Sequence, residues 1–270
     1  MAAADDVTTD EPELVYQVTD GVALIRLNRP RYKNAFTWTM LTEWAKRLRE
    51  AQEDDSVRVV VLTGTGDGFC SGVDLDAMRA VEDTAIARKR MLTDKVYRVV
   101  RAVDDLEKPL ICAVNGVAVG AGMDMALMCD MRFMARSAQL CEGYIKVGLV
   151  PGDGGAYFLP RLVGPAKALE LLMTGDFISA DEAERLGIVN RVCDDEKLLE
   201  ETLAFAKSLA AKPPIALSMI KRAVYQSMRT DLRTALDLVS SHMAVVQSTD
   251  DWKEAMTAFK EKRPGEFRNR

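Results

Sequence analysis

The chain has 270 residues, 48% of them apolar and 29% charged, and a formal net charge of −5. That size and balance fit one large globular domain, or one domain with an appendage. The negative balance argues against wholesale nucleic-acid binding, and no apolar run reaches the roughly 18 residues of a membrane span.

The start, Met1–Glu13, is small and acidic. It lacks the basic and apolar parts of a signal peptide and reads as a disordered tail. Leu14–Val18 and Val22–Leu27 follow as two strands joined at Asp20-Gly21, a hairpin signal. Arg29-Pro30 ends the pair. Thr37–Gln52 has helical spacing through Met40, Leu41, Trp44, Ala45 and Leu48, with Thr37 as its cap. Val57–Thr63 is a continuous apolar strand, as expected where both faces are covered. Thr84–Leu106 reads as one long helix with Ile86, Leu92, Val96, Val99 and Val103 on one side. Leu110–Val114 and Met131–Ala135 are strands, and Ile188–Val192 is a short apolar run. Ala180–Leu186, Lys197–Ala210, Pro214–Ser227, Leu232–Gln247 and Asp250–Lys262 are helical stretches separated by turns. The layout is an α/β front followed by a helical tail, and a tail with apolar faces left over is expected to pack on a neighbour.

Two segments stand out: Phe69-Cys70-Ser71-Gly72-Val73-Asp74 and Asn115–Asp124, the latter containing Gly116, Gly120 and Gly122. Each follows a strand and precedes a helix start. Bare glycine lets a ligand approach the main chain, and a helix start offers unpaired N–H donors. Brought together, two such places can hold one oxygen as negative charge builds on it.

Other signals are weaker. Gly64-Thr65-Gly66-Asp67-Gly68 lacks the third glycine and helix opening of a dinucleotide loop. The single histidine, His242, lies in the helical tail and leaves little basis for a Ser-His-Asp apparatus or a histidine metal site. Arg88-Lys89-Arg90 with Lys95, Arg98 and Arg101 reads as a solvated helix face. The five cysteines form no Cys-x-x-Cys pair, which suggests free thiols in a cytoplasmic protein.

The chain resembles the crotonase (enoyl-CoA hydratase/isomerase) superfamily. The resemblance rests on Arg29-Pro30 with Asn34-Ala35, Phe69–Asp74, Asn115–Asp130, Gly148–Gly155, Arg161–Gly164, Thr174-Gly175 to Val192, and Phe259–Arg263, in order and at that family's spacing. It implies a crotonase-like ββα spiral core over residues 14–192 and a helical region over 193–270 that builds trimers, commonly paired into hexamers, and completes the CoA site. It also implies an acyl-CoA substrate that brings its own CoA, with no metal, no separate cofactor and no membrane partner, and a setting in fatty acid metabolism.

Carried over by position, the resemblance puts the oxyanion-hole donors at the backbone N–H groups of Val73 and Ala121. It puts CoA or substrate contacts at Lys33, Ser71, Gly72, Leu75, Gly120 and Lys262, with Met243 facing the acyl tail. Hydratases of the family use two glutamates. The first position is Asp124 here and the second is Tyr144. A phenol of ordinary pKa is only about one part in a thousand ionised at pH 7, so Tyr144 is a donor rather than a base. Two acids stand near it in sequence. Glu142 would share a face with Tyr144 on an extended segment, and Asp153 sits in the turn Pro151–Gly155.

Asp124 is thus the expected proton carrier, Tyr144 the group that orients substrate or water, and Glu142 or Asp153 the helper. Hydration of an enoyl thioester and migration of its double bond lead the reading. A thioester or C–C bond hydrolase of the same superfamily, and a non-catalytic acyl-CoA-binding or RNA-binding member, are the alternatives.

Overall fold

The structure, a computed structural model, describes residues 11–270. The Asp20-Gly21 turn has φ of 50° and 79°, the left-handed pair that a tight hairpin needs. It joins β1 (Leu14–Thr19) to β2 (Val22–Leu27) in antiparallel register. α1 (Trp38–Glu53) starts at Thr37, whose hydroxyl accepts the Met40 N–H. β3 (Val59–Gly64) is followed by a second short strand, β4 (Gly68–Cys70), and then α2 (Leu75–Arg79). After α3 (Ala85–Arg90) and α4 (Tyr97–Asp104) the pattern returns: β5 (Leu110–Val114), β6 (Val117–Val119), α5 (Ala121–Leu127). It returns once more as β7 (Met131–Ala135) and β8 (Gln139–Cys141), a 3-10 turn at Gly143–Val147, then α6 (Gly155–Val163) and α7 (Pro165–Thr174). β9 (Ile178–Ser179), α8 (Ala180–Arg185) and β10 (Arg191–Cys193) close the strand-bearing part. Four helices finish the chain: α9 (Leu198–Ala210), α10 (Pro214–Ser227), α11 (Leu232–Gln247) and α12 (Asp250–Glu261).

Each of β3, β5 and β7 therefore feeds a short strand of a second sheet before the next helix. The larger sheet has the order β1-β2-β3-β5-β7-β10, parallel from β2 onward, and the smaller one β4-β6-β8-β9. This is the ββα spiral. On one face of the large sheet, α1 and α4 bury Trp44, Leu48, Val99 and Val103 against Ile25 and Leu62. On the other, α9 packs Leu203 and Ala206 over Val22, Val59, Val61 and Ile111. Coverage on both sides explains why β3 and β5 are apolar at successive positions rather than alternate ones.

Three elements differ from the sequence expectation. The helix expected over Thr84–Leu106 is broken by a π-helical turn at Met91–Val96. The wider turn rotates the apolar stripe, so Val96, Val99 and Val103 are buried while Ile86 is exposed. The run Ile188–Val192 pairs only from Arg191, because Ile188 and Val189 are buried in the preceding turn. The short strands β4, β6 and β8 lie inside the glycine segments and the acid-bearing segment, where two or three residues carry no visible period. The expected tail reaches, up to Asp10, outside the described residues. Its last residue, Glu13, is tied down: it pairs with Arg29 Nε at 3.0 Å and accepts the Thr37 hydroxyl at 2.6 Å.

Arg132 fixes the helix that matters most for the site. Its side chain is 4% exposed and donates to the carbonyls of Cys129 (2.6 Å), Leu127 (3.2 Å) and Ala126 (3.4 Å) through Nη1, and to Ile188 through Nε (2.6 Å). These include the orphan carbonyls at the end of α5. Arg132→Leu strands buried acceptors, each worth about 1–3 kcal/mol. A lower urea midpoint at unchanged slope is the expected result, and an unchanged midpoint would show that α5 does not depend on this side chain.

Candidate active site

Val73 follows β4 and precedes α2. Phe36 bridges to it in parallel fashion: the Phe36 N–H donates to Gly72 O at 2.9 Å, and the Asp74 N–H donates to Phe36 O at 3.0 Å. That pattern uses the main-chain groups on either side of Val73 and leaves its own N–H outside. Ala121 opens α5, and its N–H belongs to the first turn, where no intrahelical acceptor exists. Among the described residues neither N–H meets an acceptor. The two segments adjoin. Gly72, at φ 98°, has no side chain, and a Cβ there would lie 3.2 Å from Val119 O and 3.7 Å from Ala121 N. A larger residue would fill the space over the second amide and be strained as well.

The Val73 segment is braced by an ion pair that sequence reading left without a role. Arg29 Nη1 reaches Asp74 Oδ2 at 2.9 Å, while Asp74 Oδ1 accepts the Asp76 and Ala77 N–H groups and so caps α2. Burial opposes charge on Asp74, but the Ala77 N–H and Arg29 outweigh it and hold the carboxyl below the usual range. Asn34 adds a second brace, with its amide donating to Thr65 O and Gly68 O and its carbonyl accepting the Arg29 N–H. The motif Arg29-Pro30 with Asn34 contained the signal, a cation and an amide beside a turn. Their partners are 31 to 45 residues away and carry no local mark.

Asp124, Glu142, Tyr144 and Asp153 come together. Asp124 lies in the first turn of α5, three residues beyond Ala121. Tyr144 donates its phenol hydrogen to Asp124 Oδ2 at 2.7 Å, and Asp153 Oδ2 lies 3.3 Å from the same phenol oxygen. The Asp153 N–H also donates to Asp124 Oδ2, at 3.1 Å. The Tyr144 ring is 3.7 Å from where a Gly120 Cβ would be, so the cluster borders the Ala121 amide. Glu142 does not share an extended strand with Tyr144: β8 ends at Cys141 and a 3-10 turn begins at Gly143. The turn still brings both side chains inward.

The three carboxyls are 0–2% exposed. Burial comes first among the forces on them and raises all three. Asp153 is pushed up to about 7 by burial and then by the Asp124 charge. Burial and the neighbouring Asp124 and Asp153 charges also raise Tyr144 far above a phenol's ordinary value, so it stays protonated. It is a fixed donor to Asp124 and not a base.

The other expected contacts are placed less tightly. Lys33 pairs with Asp67 beside Gly68, and Ser71 Oγ donates to Tyr32 O at 3.0 Å. Leu75 is 65% exposed. All three border the Val73 segment. Met243 is exposed on α11, and Lys262 caps α12 in a left-handed conformation. The main packing partners of α11 are α10 and α12, so the single chain does not tie either residue to the amides. The five cysteines are free and buried.

The enoyl-CoA hydratase/isomerase family model matches residues 17–270. Among curated relatives, the 1,2-epoxyphenylacetyl-CoA isomerase of Escherichia coli is 38% identical over 94% of this chain and 97% of its own length. The crotonyl-CoA hydratase of Syntrophomonas wolfei is 36% identical over the same shares, 94% and 97%. The crystal structure of an enoyl-CoA hydratase from Bacillus anthracis superposes with a TM-score of 0.92 at 33% identity, covering 96% of this chain and 100% of that one. The chain therefore belongs to the enoyl-CoA hydratase/isomerase family. It is an enzyme of the hydratase/isomerase type. Among the described residues no helix is long and apolar enough to cross a membrane.

The carboxyl cluster has a thermodynamic signature. Folded Asp153 keeps its proton up to about pH 7, whereas in the unfolded chain it loses it near about 3.9. The folded state binds the extra proton across that window, so its contribution to stability is full at the acid end and is lost as pH rises through about 7. Melting temperatures should fall between about pH 4 and pH 7, and Asp153→Asn should flatten that fall. An equal fall in the variant would place the titration elsewhere.

Proposed function

We propose that the enzyme moves a carbon–carbon double bond within an acyl-CoA thioester, with the thioester oxygen held by the N–H groups of Val73 and Ala121. Two preorganised main-chain donors suit an oxygen that becomes an enolate, and losing one such donor typically costs about 2.7–4 kcal/mol of transition-state stabilisation.

The observation that carries the choice of reaction is the state of Asp153. Its Oδ1 is buried without a donor, and its pKa is brought to about 7. A carboxyl raised that far by burial can both take a proton and return one near neutral pH. Asp124 is differently placed. Its Oδ2 already accepts from Tyr144 and from the Asp153 main chain, and it is fully buried. We assign Asp124 the part of a fixed anion that sets Asp153, with Tyr144 as the link between them.

In the step itself the Asp153 carboxylate takes a proton from carbon. The C–H bond breaks, an O–H bond forms, and the electron pair moves through the conjugated system to the thioester oxygen. The O–H proton then returns to the other end of the system as the dienolate collapses. No water enters, which suits a site whose second family position holds a phenol that is already engaged.

CoA approaches along the Val73 segment, where Lys33, Ser71 and Leu75 stand. Met243 and Lys262, exposed on α11 and at the end of α12, would join the site where those helices meet a neighbouring copy. The exposed Ile220, Val224, Leu232 and Leu236 on α10 and α11 favour packing on a further copy, as the trimer or pair of trimers expected from the family would require.

The test is product analysis with 2-enoyl and 3-enoyl thioesters in deuterated water. Double-bond migration with little deuterium uptake at carbon, and no hydroxyacyl product, is expected. Accumulation of hydroxyacyl-CoA would make the enzyme a hydratase. Asp153→Asn should lower kcat by about 10²–10⁴-fold, the range for removing a general acid–base group. Tyr144→Phe should cost more than Glu142→Gln. The opposite order would exchange the roles of those two residues.

A further inference from the structure

Glu142 is 1% exposed, and neither of its oxygens meets an N–H or O–H donor among the described residues. Asp124 Oδ1, on a side chain with no exposure, has none either. The groups that act on Glu142 are acidic: Asp124 from α5 first, then Asp153 from the turn before α6. Tyr144 and Cys141 face it from its own segment. The nearest cation along the chain, Lys146, turns away to Cys141 Sγ at 3.9 Å and lies over the Phe177 ring at 4.9 Å.

Bare backbone makes the arrangement possible. A Cβ on Gly155 would fall on Asp124 Oδ1 and lie 2.7 Å and 3.0 Å from the two Glu142 oxygens. The two carboxyls thus crowd one glycine, and each bears on the other's ionisation. Two carboxylates have no hydrogen to share, whereas a carboxylic acid and a carboxylate do. Two anions in contact, out of water and without a cation, are the alternative, and they repel strongly.

We propose that Glu142 is a positioning residue that keeps its proton at neutral pH and donates it to Asp124 Oδ1. The pair then holds one negative charge, and Asp124 is fixed beneath Tyr144. Burial and the Asp124 charge raise the Glu142 carboxyl well above the usual carboxylate range, in the same direction. The proposal rests on the proton-transfer reading of the site given above. It adds a consequence. As the medium becomes alkaline the shared proton leaves, the two carboxylates separate, and the support under Tyr144 is lost.

The test compares wild type, Glu142→Gln and Glu142→Leu by kcat and KM across pH. The enzyme alone is followed by infrared spectroscopy in the carboxylic-acid C=O region. Glutamine supplies an N–H donor that does not titrate, and leucine supplies none. Glu142→Leu should lower kcat by about tenfold or more, the scale of a hydrogen bond to a charged group, with KM little changed. Glu142→Gln should recover most of that loss and shift the alkaline fall in kcat upward. A carboxylic-acid band present in wild type at neutral pH should be missing in Glu142→Gln.

Equal impairment of the two variants, an alkaline limb that does not move, or a band unaltered by Glu142→Gln would overturn the proposal. Should Glu142→Leu fail to fold, the comparison of Glu142→Gln with wild type still decides it. The band is read without substrate. A protein that turns over none of the thioesters but loses the band would sink the proposed reaction and keep the shared proton.

Discussion

The structure depends on two main-chain N–H groups that the fold leaves without partners. Buried backbone donors are almost always satisfied. The Val73 amide is excluded because Phe36 takes the hydrogen-bonding groups on either side of it. The Ala121 amide is excluded because a helix cannot satisfy its own first turn. Gly72 and Gly120, both at positive φ, turn the chain from short strand to helix at these places. The second sheet exists to deliver these turns: β4 and β6 pair in parallel and present their ends side by side.

Around this donor pair the protein has arranged charge of one sign. The N–H groups attract a developing anion, and the carboxyl cluster beside them is crowded with groups that resist ionisation. The two features are complementary. Three free carboxylates would repel an enolate, whereas in the proposed site burial and mutual repulsion keep part of the cluster protonated and limit its charge. The rigid parts lie outside this cluster, in the Arg29–Asp74 pair under one amide and in Arg132 behind the helix that carries the other.

Much of this was legible in the sequence, and the reasons divide by range. The hairpin, α1, β5, α10 and α11 carry local signals: turn residues, a cap, apolar period and a proline start. The two glycine segments were readable as strand-to-helix turns, and the ordered motifs pointed to the family. The meeting of Asp124, Glu142, Tyr144 and Asp153 was suggested by position. Its chemistry was not, because a pKa depends on burial and on neighbours that come from three separate elements. The same holds for Arg132, whose type suggests a surface residue, and for Arg29, whose partner lies 45 positions on. The π-turn at Met91–Val96 was missed because an added residue per turn hides inside an otherwise helical pattern.

The central claim is that the Val73 and Ala121 amides receive one thioester oxygen. A crystal structure with a bound, unreactive acyl-CoA thioester analogue tests it most directly. The account expects that oxygen within about 2.7–3.2 Å of both nitrogens. A carbonyl bound elsewhere, or either amide hydrogen-bonded to the protein in that complex, would contradict it.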